Sequence, residues 1–320
     1  MTCTLRVEQT NGAVDMVEFA AQYPRPGHFL LHVSDTHFVG NGRLYGSVDV
    51  ERHLTDLLGR FEQNHARPEA IVITGDMADT GDPAAYLRLR HLVEPIAVRL
   101  GATVIWVMGN HDNRSAVRVC LLDQRPSSEP VDQVHWLGGL RVIAVDTTVP
   151  GHHHGELSDR QLSWLARQLA TPAPDGTILA MHHPPVPSLL DLAVLVELRG
   201  QDRLAGVLTG TDVRAILAGH LHFSTTATFA GIGVSVAAAS CYNQDLAVSA
   251  GEMRSLDGGQ AVNLVHVFHH TVLHSVVPVG SFDVLSEVSA AESAAQLEMA
   301  GVAMEPRSAA AFSQGAGIAK

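Results

Sequence analysis

Lysine is almost absent from this sequence, and other features that define common protein classes are missing as well. Lys320 is the only lysine among 320 residues, and the formal net charge is −12. Binding to a nucleic-acid backbone requires a dense cationic surface, so no nucleic-acid polymer is expected as a partner. The lack of lysine also excludes P-loop and Schiff-base sites, which depend on that residue.

Cysteine and long apolar segments are scarce too. The three cysteines form no Cys-x-x-Cys pair, which favours neither a disulfide scaffold nor a thiolate zinc site. The longest apolar-leaning run, residues 227–242, is short for a membrane span and contains small polar residues. Glu8, Asp15 and Glu18 interrupt the region where a signal peptide needs an unbroken apolar stretch. These absences predict a cytoplasmic protein without a transmembrane segment.

The order of short apolar runs and amphipathic stretches predicts a layered α/β architecture. Runs of four to seven apolar and β-branched residues, typical of buried strands, alternate with helical patterns. Asp82 followed by Pro83 indicates one helix start, and Ser158 with Gln161 has the spacing of a capping box at another. The last three runs, GVSVAAAS, NLVHVF and HSVVPV, follow one another without long helices, which predicts that they pair antiparallel.

Histidine is unusually abundant, and five predicted strands end in Asp, Asn or His. The residues at these ends are Asp35 and His37, Asp76, Asn110 and His111, His182 and His183, and His220 and His222. Ligands bind at the carboxyl ends of strands in α/β sheets, so these side chains are expected to converge. Each has an ordinary alternative, such as a helix cap for Asp76, but five matching ends favour a metal site. Carboxylate, amide and imidazole groups suit Mn, Fe or Zn.

The ordered motifs DTH, GDMAD, GNHD, HH and GHLH resemble those of the calcineurin-like metallophosphoesterases. Connecting segments such as LYGSVD and VPGHHHGE are similar to the class III cyclic nucleotide phosphodiesterases of mycobacteria. This resemblance implies an α/β/β/α sandwich in which two central mixed β-sheets are flanked by helices. It also assigns residues 28–283 to the catalytic domain. Residues 1–27 are then an N-terminal arm, and residues 284–320 are an Ala/Ser-rich tail, mostly mobile, with a weak helix near 288–300.

The resemblance further implies a centre with two metal ions, expected to be iron and manganese, with zinc as an alternative. Asp35, His37 and His222 would hold one ion, Asn110, His182 and His220 the other, and Asp76 would bridge them. Two such ions outweigh the nearby carboxylates and make the site attractive to a phosphate ester. The expected substrate contacts are His37, Asp76, Asn110, His111 and His222.

The predicted catalytic pair is His111 and Asp79. His111 would give a proton to the leaving oxygen, and Asp79 would orient and charge His111, although a helix cap or loop carboxylate is the alternative for Asp79. Asp112 is expected to cap the next helix. The histidine triplet 152–154 lies either at the rim of the pocket, in contact with substrate, or on solvated surface, which is favoured. The residues give His183 no single role.

The predicted reaction is hydrolysis of 3′,5′-cyclic nucleotides, cyclic AMP above all and cyclic GMP as a further candidate, to 5′-nucleotides by metal-activated hydroxide. A broader phosphodiesterase or phosphomonoesterase acting on nucleotides or phospholipid head groups would use the same ligands. A non-catalytic scaffold is disfavoured because none of the motif residues is lost. The resemblance also implies a homodimer.

Overall fold

The structure, a computed structural model, describes residues 21–64, 66–280 and 282–302. Most of the predicted arm and the last part of the predicted tail lie outside these residues. The strands are β1 (His28–Val33), β2 (Ala70–Thr74), β3 (Thr103–Val107), β4 (Gln133–Leu137), β5 (Leu140–Ala144), β6 (Thr177–Ala180), β7 (Val213–Ala218), β8 (Thr225–Phe229), β9 (Ile232–Val236), β10 (Asn243–Gln244), β11 (Ser255–Leu256), β12 (Ala261–Val267) and β13 (Val272–Pro278). The helices are α1 (Val50–Gln63), α2 (Pro83–Leu100), α3 (Arg114–Cys120), α4 (Asp159–Leu169), α5 (Gln201–Leu208) and α6 (Ala290–Met299), with a 3₁₀-helix at Asp191–Val196.

Pro26–Ser281 form a compact unit built on two mixed sheets. The first sheet has the strand order β13-β12-β1-β2-β3, in which β1, β2 and β3 are parallel and β12 and β13 antiparallel to their neighbours. The second sheet has the order β4-β5-β6-β7-β9-β8. The antiparallel pairing expected for the last three apolar runs is correct for β12 with β13. It is wrong for β9, which lies in the other sheet, parallel to β7 and antiparallel to β8.

The two sheets pack face to face and carry helices on their outer faces. Between them lies an apolar layer that includes Leu30 and Val72 from the first sheet and Val142 and Leu217 from the second. A second apolar cluster joins the outer face of the first sheet to α1, α2 and α3, and a third joins the outer face of the second sheet to α4 and α5. This arrangement is the α/β/β/α sandwich that the motifs implied.

Two of the three predicted helix starts are confirmed. Asp82 caps α2 ahead of Pro83, and Ser158 with Gln161 forms a capping box at α4. The prediction that Asp112 caps α3 is wrong, because the side chain of Asn113 accepts the hydrogen bond from the Ala116 main-chain nitrogen.

A short helix occurs in the predicted tail. α6 begins with a capping box formed by Ser289 and Glu292 and ends at Met299, close to the bounds expected from the sequence. In the part of the chain that the structure describes, no helix is both long and apolar enough to cross a membrane.

His28 joins the two sheets at the N-terminal ends of their parallel strands. Its Nδ1 lies 3.0 Å from a carboxylate oxygen of Glu69, which precedes β2. Its Nε2 lies 3.1 Å from a carboxylate oxygen of Asp175, which precedes β6. Because carboxylates accept hydrogen bonds, only the doubly protonated ring can donate to both. Burial lowers the pKa of His28, but Glu69 and Asp175 outweigh this effect, and the pKa is raised overall.

We predict that His28→Gln destabilises the protein more at pH 6 than at pH 9. Because the pKa of His28 is raised in the folded state, its contribution to the free energy of unfolding is complete below the unfolded pKa of about 6.5. The contribution is lost as the pH rises through the folded pKa. We expect a loss of about 1 to 2 kcal/mol in the free energy of unfolding at pH 6, measured by urea denaturation. His91→Gln, at an exposed position of α2, is the control. An equal loss at both pH values would contradict the charged contact.

Candidate metal centre

The predicted ligands converge at the carboxyl ends of strands from both sheets. Asp35, Asp76 and Asn110 follow β1, β2 and β3 of the first sheet, and His182 and His220 follow β6 and β7 of the second. Because the sheets pack face to face, these strand ends meet at one edge of the sandwich. Residues separated by up to 187 positions in the sequence therefore share one site.

Backbone conformation at these strand ends is unusual. Positive φ angles occur at five of the predicted ligands: Asp35 (51°), His37 (42°), Asp76 (48°), His220 (73°) and His222 (55°). Residues with a Cβ rarely adopt this left-handed region, and each instance costs of order 1 to 3 kcal/mol. The turn brings each side chain back over the end of its strand. Strain concentrated in this way is typical of a functional site.

Asp76 occupies the middle of the cluster. Its Oδ2 lies 3.5 Å from Nε2 of His37 and 3.3 Å from Nε2 of His182. Its Oδ1 accepts a hydrogen bond of 2.8 Å from the main-chain nitrogen of His111. One carboxylate oxygen is therefore shared between two groups of ligands, as a bridging role requires.

The remaining predicted ligands lie on either side of Asp76. On one side, Oδ1 of Asp35 lies 3.4 Å from Nε2 of His222. On the other side, Nε2 of His182 lies 3.1 Å from both Oδ1 of Asn110 and Nδ1 of His220. All seven predicted ligands thus belong to one connected group of donor atoms.

Three of the predicted histidine ligands are held by main-chain carbonyl groups, which fixes their protonation. In each ring, the nitrogen that faces away from the cluster lies within hydrogen-bond distance of a main-chain carbonyl oxygen. His182 Nδ1 lies 2.8 Å from the oxygen of Thr74, His220 Nε2 lies 2.9 Å from that of Val196, and His222 Nδ1 lies 2.9 Å from that of Tyr242. A carbonyl only accepts, so this nitrogen carries the proton. In the neutral ring the other nitrogen then presents its lone pair to the cluster, which is the form that binds metals.

The donor set fits a metal centre. Oδ1 of Asp35 and Nε2 of His37 are buried without a hydrogen-bond partner among the described residues. Nε2 of His182 and Oδ1 of Asn110 are both lone-pair donors to a metal, yet they lie 3.1 Å apart. Such atoms repel unless a proton or cation lies between them, and a buried polar atom left unpaired is costly. Metal ions would satisfy all of these atoms at once.

The pKa values of the buried groups reflect the same concentration of charge. Burial raises the pKa of Asp76, but His182 and His37 outweigh burial and hold it well below its usual range. Burial lowers the pKa of His37, but the carboxylates of Asp76 and Asp79 outweigh burial and raise it to about 10. Burial likewise lowers the pKa of His182, but Asp76 raises it to about 9. Asp76 therefore draws positive charge to its neighbours, which a cation can supply in place of protons.

Asp79 contacts both His37 and His111, but not in the way that the motif implied. Its carboxylate lies 3.0 Å from Nδ1 of His37, whereas His111 Nδ1 lies 2.6 Å from its main-chain oxygen. The reason is a bridge between Phe38 and Ala78, in which the nitrogen of Asp79 bonds to the oxygen of Phe38. Asp79 therefore orients His111 through its main chain rather than through its carboxylate, which contacts His37 and lies within 4.8 Å of a ring nitrogen of His111. The predicted effect of that carboxylate on the charge of His111 stays a prediction.

Asp112 has a role that sequence reasoning missed. Its carboxylate accepts hydrogen bonds from the main-chain nitrogens of Met77 (3.0 Å), Ala78 (3.1 Å) and Gly109 (2.9 Å), and from the hydroxyl of Tyr86 (3.0 Å). These bonds tie the loop that follows Asp76 to the loop that carries the predicted ligand Asn110. The only signal in the sequence is the position of Asp112 at the end of the GNHD motif.

The histidines that were left open divide between the pocket and the interior. His153 lines the pocket, and its Nδ1 lies 3.0 Å from Nδ2 of Asn110. His152 is exposed, whereas His154 is buried. His183 is fully buried against Thr147 (2.7 Å). Solvated surface is therefore the wrong interpretation for His154, whereas His153 is exposed and also lines the pocket.

A pocket of about 310 Å³ opens at the cluster. The five residues predicted to contact substrate, His37, Asp76, Asn110, His111 and His222, all line it. Its volume lies at the lower end of the range for small-molecule sites. The cluster is therefore accessible to a ligand although most of the predicted metal ligands are buried.

Glycines allow the strand ends to approach one another closely. A methyl group on Gly109 would lie 2.1 Å from the nitrogen of Asp76 and 2.3 Å from its Oδ1. A methyl group on Gly219 would lie 1.8 Å from Oγ of Ser34. No side chain fits at either position without displacing the neighbouring loop.

We predict that Gly109→Ala impairs metal binding. The added methyl group must displace Asp76, and we expect a loss of about 1 to 3 kcal/mol in stability together with a weaker affinity for Mn²⁺. Gly59→Ala is the matched control, because it adds a methyl group to α1 in open space and is expected to stabilise the helix by about 0.5 to 1 kcal/mol. Urea denaturation and titration calorimetry measure the two effects. Wild-type affinity in Gly109→Ala would contradict this account.

Comparison with known proteins agrees with the site and the fold. The family model of the calcineurin-like phosphoesterases matches residues 30–224. The chain is 58% identical to the cAMP/cGMP dual specificity phosphodiesterase of Mycobacterium tuberculosis (strain CDC 1551 / Oshkosh) over 289 residues. These residues cover 90% of this chain and 91% of that protein. It is also 58% identical over 284 residues to the "Probable cyclic nucleotide phosphodiesterase" of Rhodococcus erythropolis, covering 88% of this chain and 94% of that protein.

A solved structure with low sequence identity has the same fold. The dimetal phosphatase of Danio rerio superposes with a TM-score of 0.56 at 13% identity, covering 80% of this chain and 100% of that chain. This match confirms the predicted fold class. Because the family model spans more than half of the sequence, the chain belongs to the calcineurin-like phosphoesterase family, whose members bind two metal ions.

Proposed function

We propose that this chain hydrolyses 3′,5′-cyclic nucleotides, cyclic AMP above all and cyclic GMP in addition, to 5′-nucleotides at a centre of two metal ions. The similarity to the mycobacterial and rhodococcal proteins extends over about nine tenths of the chain. The observation that carries the proposal is the group of seven predicted metal ligands, Asp76 and six others around it, at the base of an open pocket.

Within this proposal, Asp35, His37 and His222 would hold one ion, Asn110, His182 and His220 would hold the other, and Asp76 would bridge them. The position of Asp76 Oδ2, 3.5 Å from His37 Nε2 and 3.3 Å from His182 Nε2, supports the bridging assignment. When bound, the ions would supply Lewis acidity that activates water and withdraws negative charge from the phosphoryl oxygens. Iron with manganese is the proposed pair, with zinc as an alternative, because the donor set suits these metals.

His111 is proposed to hand a proton to the leaving oxygen. Its Nδ1 faces the main-chain oxygen of Asp79 at 2.6 Å and therefore keeps its proton. Nε2 is then the nitrogen that exchanges a proton with a ligand in the pocket, which His111 lines. In the reaction, water loses a proton to solvent and the resulting hydroxide attacks phosphorus. The bond from phosphorus to the 3′-oxygen breaks, that oxygen receives the proton from His111, and His111 regains a proton from solvent. A sugar alkoxide is a poor leaving group without this proton.

The carboxylate of Asp79 supports the same reaction through His37. Its bond to Nδ1 of His37 turns Nε2 of that ring toward Asp76. The hydroxyl of Tyr45 lies 3.3 Å from the same carboxylate oxygen and helps to hold it in place. A cytoplasmic location and a homodimer complete the proposal, and both rest on the sequence and the family resemblance.

We predict that Asp76→Asn loses both metal and activity. After metal is removed with a chelator, the wild type should bind about two Mn²⁺ per chain. The variant should bind fewer, because the Asp76 side chain, the proposed bridge between the ions, has lost its charge. We expect kcat/KM for cyclic AMP to fall by more than about a hundredfold. Asp56→Asn, on the exposed surface of α1, should behave as wild type. Wild-type protein that binds no metal, or that hydrolyses no cyclic AMP when loaded, would refute the proposal.

We predict that His111→Gln slows only those reactions whose leaving group needs a proton. For cyclic AMP we expect kcat to fall about 10²- to 10⁴-fold. For bis(4-nitrophenyl) phosphate we expect a much smaller decrease, because 4-nitrophenolate leaves without a proton. His152→Gln, an exposed histidine outside the pocket lining, is the control. Equal decreases for both substrates would rule out proton donation by His111.

A further inference from the structure

The pocket has two chemically different sides. One side carries the predicted metal ligands, whereas the other is an apolar wall built mainly from the 3₁₀-helix Asp191–Val196. We define the apolar wall as Leu190, Leu192, Ala193 and Val196 together with Met253. Metal ligands alone explain the capture of a phosphate group, but they do not explain an apolar wall beside it.

Part of the apolar wall is exposed to solvent. Leu192 is 60% exposed and Met253 is 42% exposed, although both line a pocket. Leaving large apolar side chains in water forfeits about 25 cal/mol for each Å² that a ligand could cover. Exposed apolar side chains that line a pocket beside polar groups therefore favour a ligand-binding site.

The apolar wall is fixed relative to the predicted metal centre. The main-chain oxygen of Val196 lies 2.9 Å from Nε2 of His220, whose other nitrogen faces His182. The next residue holds both ends of the segment. The main-chain oxygen of Glu197 accepts a hydrogen bond of 3.1 Å from the nitrogen of Gly155, and its side chain accepts one of 3.2 Å from the nitrogen of Ser188, just before the apolar wall begins. The segment thus acts as a rigid side of the site, so that a ligand can meet the metals and the wall in one fixed geometry.

A ligand that fills both sides must combine an anionic group with an apolar surface. A 3′,5′-cyclic nucleotide does so, because the base projects from the sugar away from the phosphodiester ring. The pocket of about 310 Å³ lies within the range of small-molecule sites and is larger than a phosphate group needs. We propose that the apolar wall is the subsite for the nucleobase and selects nucleotides over base-free phosphodiesters. This inference rests on the proposed function and adds to it the residues that determine specificity.

The test compares cyclic AMP with methyl ribofuranoside 3′,5′-cyclic phosphate, which has the same reacting ring without the base. We expect Leu192→Ser to lower kcat/KM for cyclic AMP about tenfold, mainly by raising KM, and to leave the base-free substrate unchanged. Leu195→Ser is the matched control, because Leu195 lies on the same helix and is 68% exposed but does not line the pocket. It should behave as wild type on both substrates.

Three results would overturn the inference while leaving the proposed function intact. Wild-type enzyme could hydrolyse both substrates with equal kcat/KM. Leu192→Ser could leave kcat/KM for cyclic AMP unchanged. It could also lower kcat/KM equally for both substrates, and this second result would indicate an effect through His220. Leu195→Ser could reproduce the loss of Leu192→Ser, which would indicate contact between copies of the chain. Wild-type enzyme that hydrolyses neither substrate would instead refute the proposed function.

Discussion

Repulsion between lone pairs that converge on Asp76 is the constraint around which the site is built. The outer nitrogens of His182, His220 and His222 are held by main-chain carbonyls, so their inner nitrogens face one another and nearby carboxylates. Asp35 Oδ1 and His37 Nε2 are buried and have no hydrogen-bond partner among the described residues. Protons or cations would relieve this repulsion, so the preorganised donor atoms favour metal binding.

The rest of the fold supplies the rigidity that holds such groups together. Left-handed backbone at Asp35, Asp76 and His220 is a local cost that the apolar layers on both sides of each sheet must offset. Asp112 contributes directly, because its bonds to Met77, Ala78 and Gly109 prevent the two loops from separating under the repulsion. Burial raises the pKa of Asp112 to about 6, as does the nearby charge of Asp76. Packing and hydrogen bonding thus maintain a geometry that the site residues themselves oppose.

The convergence of Asp35, Asp76 and His220 could be predicted from sequence because strand ends have a fixed direction in an α/β sheet, whatever the order of the strands. Hydrogen-bond and strand partners that are distant in the sequence could not be predicted in this way. Asp112 has the local pattern of a helix cap, yet it accepts hydrogen bonds from residues about 35 positions away. The sequence of β9 has the same apolar pattern as the strands that follow it, but β9 belongs to the second sheet because it pairs with β7. The contact of Asp79 with His37 likewise depends on one bridge between loops.

Specificity must then come from parts of the pocket that carry no metal ligand. Asp, Asn and His side chains around two ions stabilise the same developing charge on any phosphate ester, so they contribute almost equally to every substrate. Discrimination requires contacts to the group beyond the phosphate, where a missing apolar contact changes kcat/KM by one or two orders of magnitude. In this chain those contacts come from the segment that also holds His220 through Val196. The same short helix therefore joins substrate selection to the geometry of the metal centre.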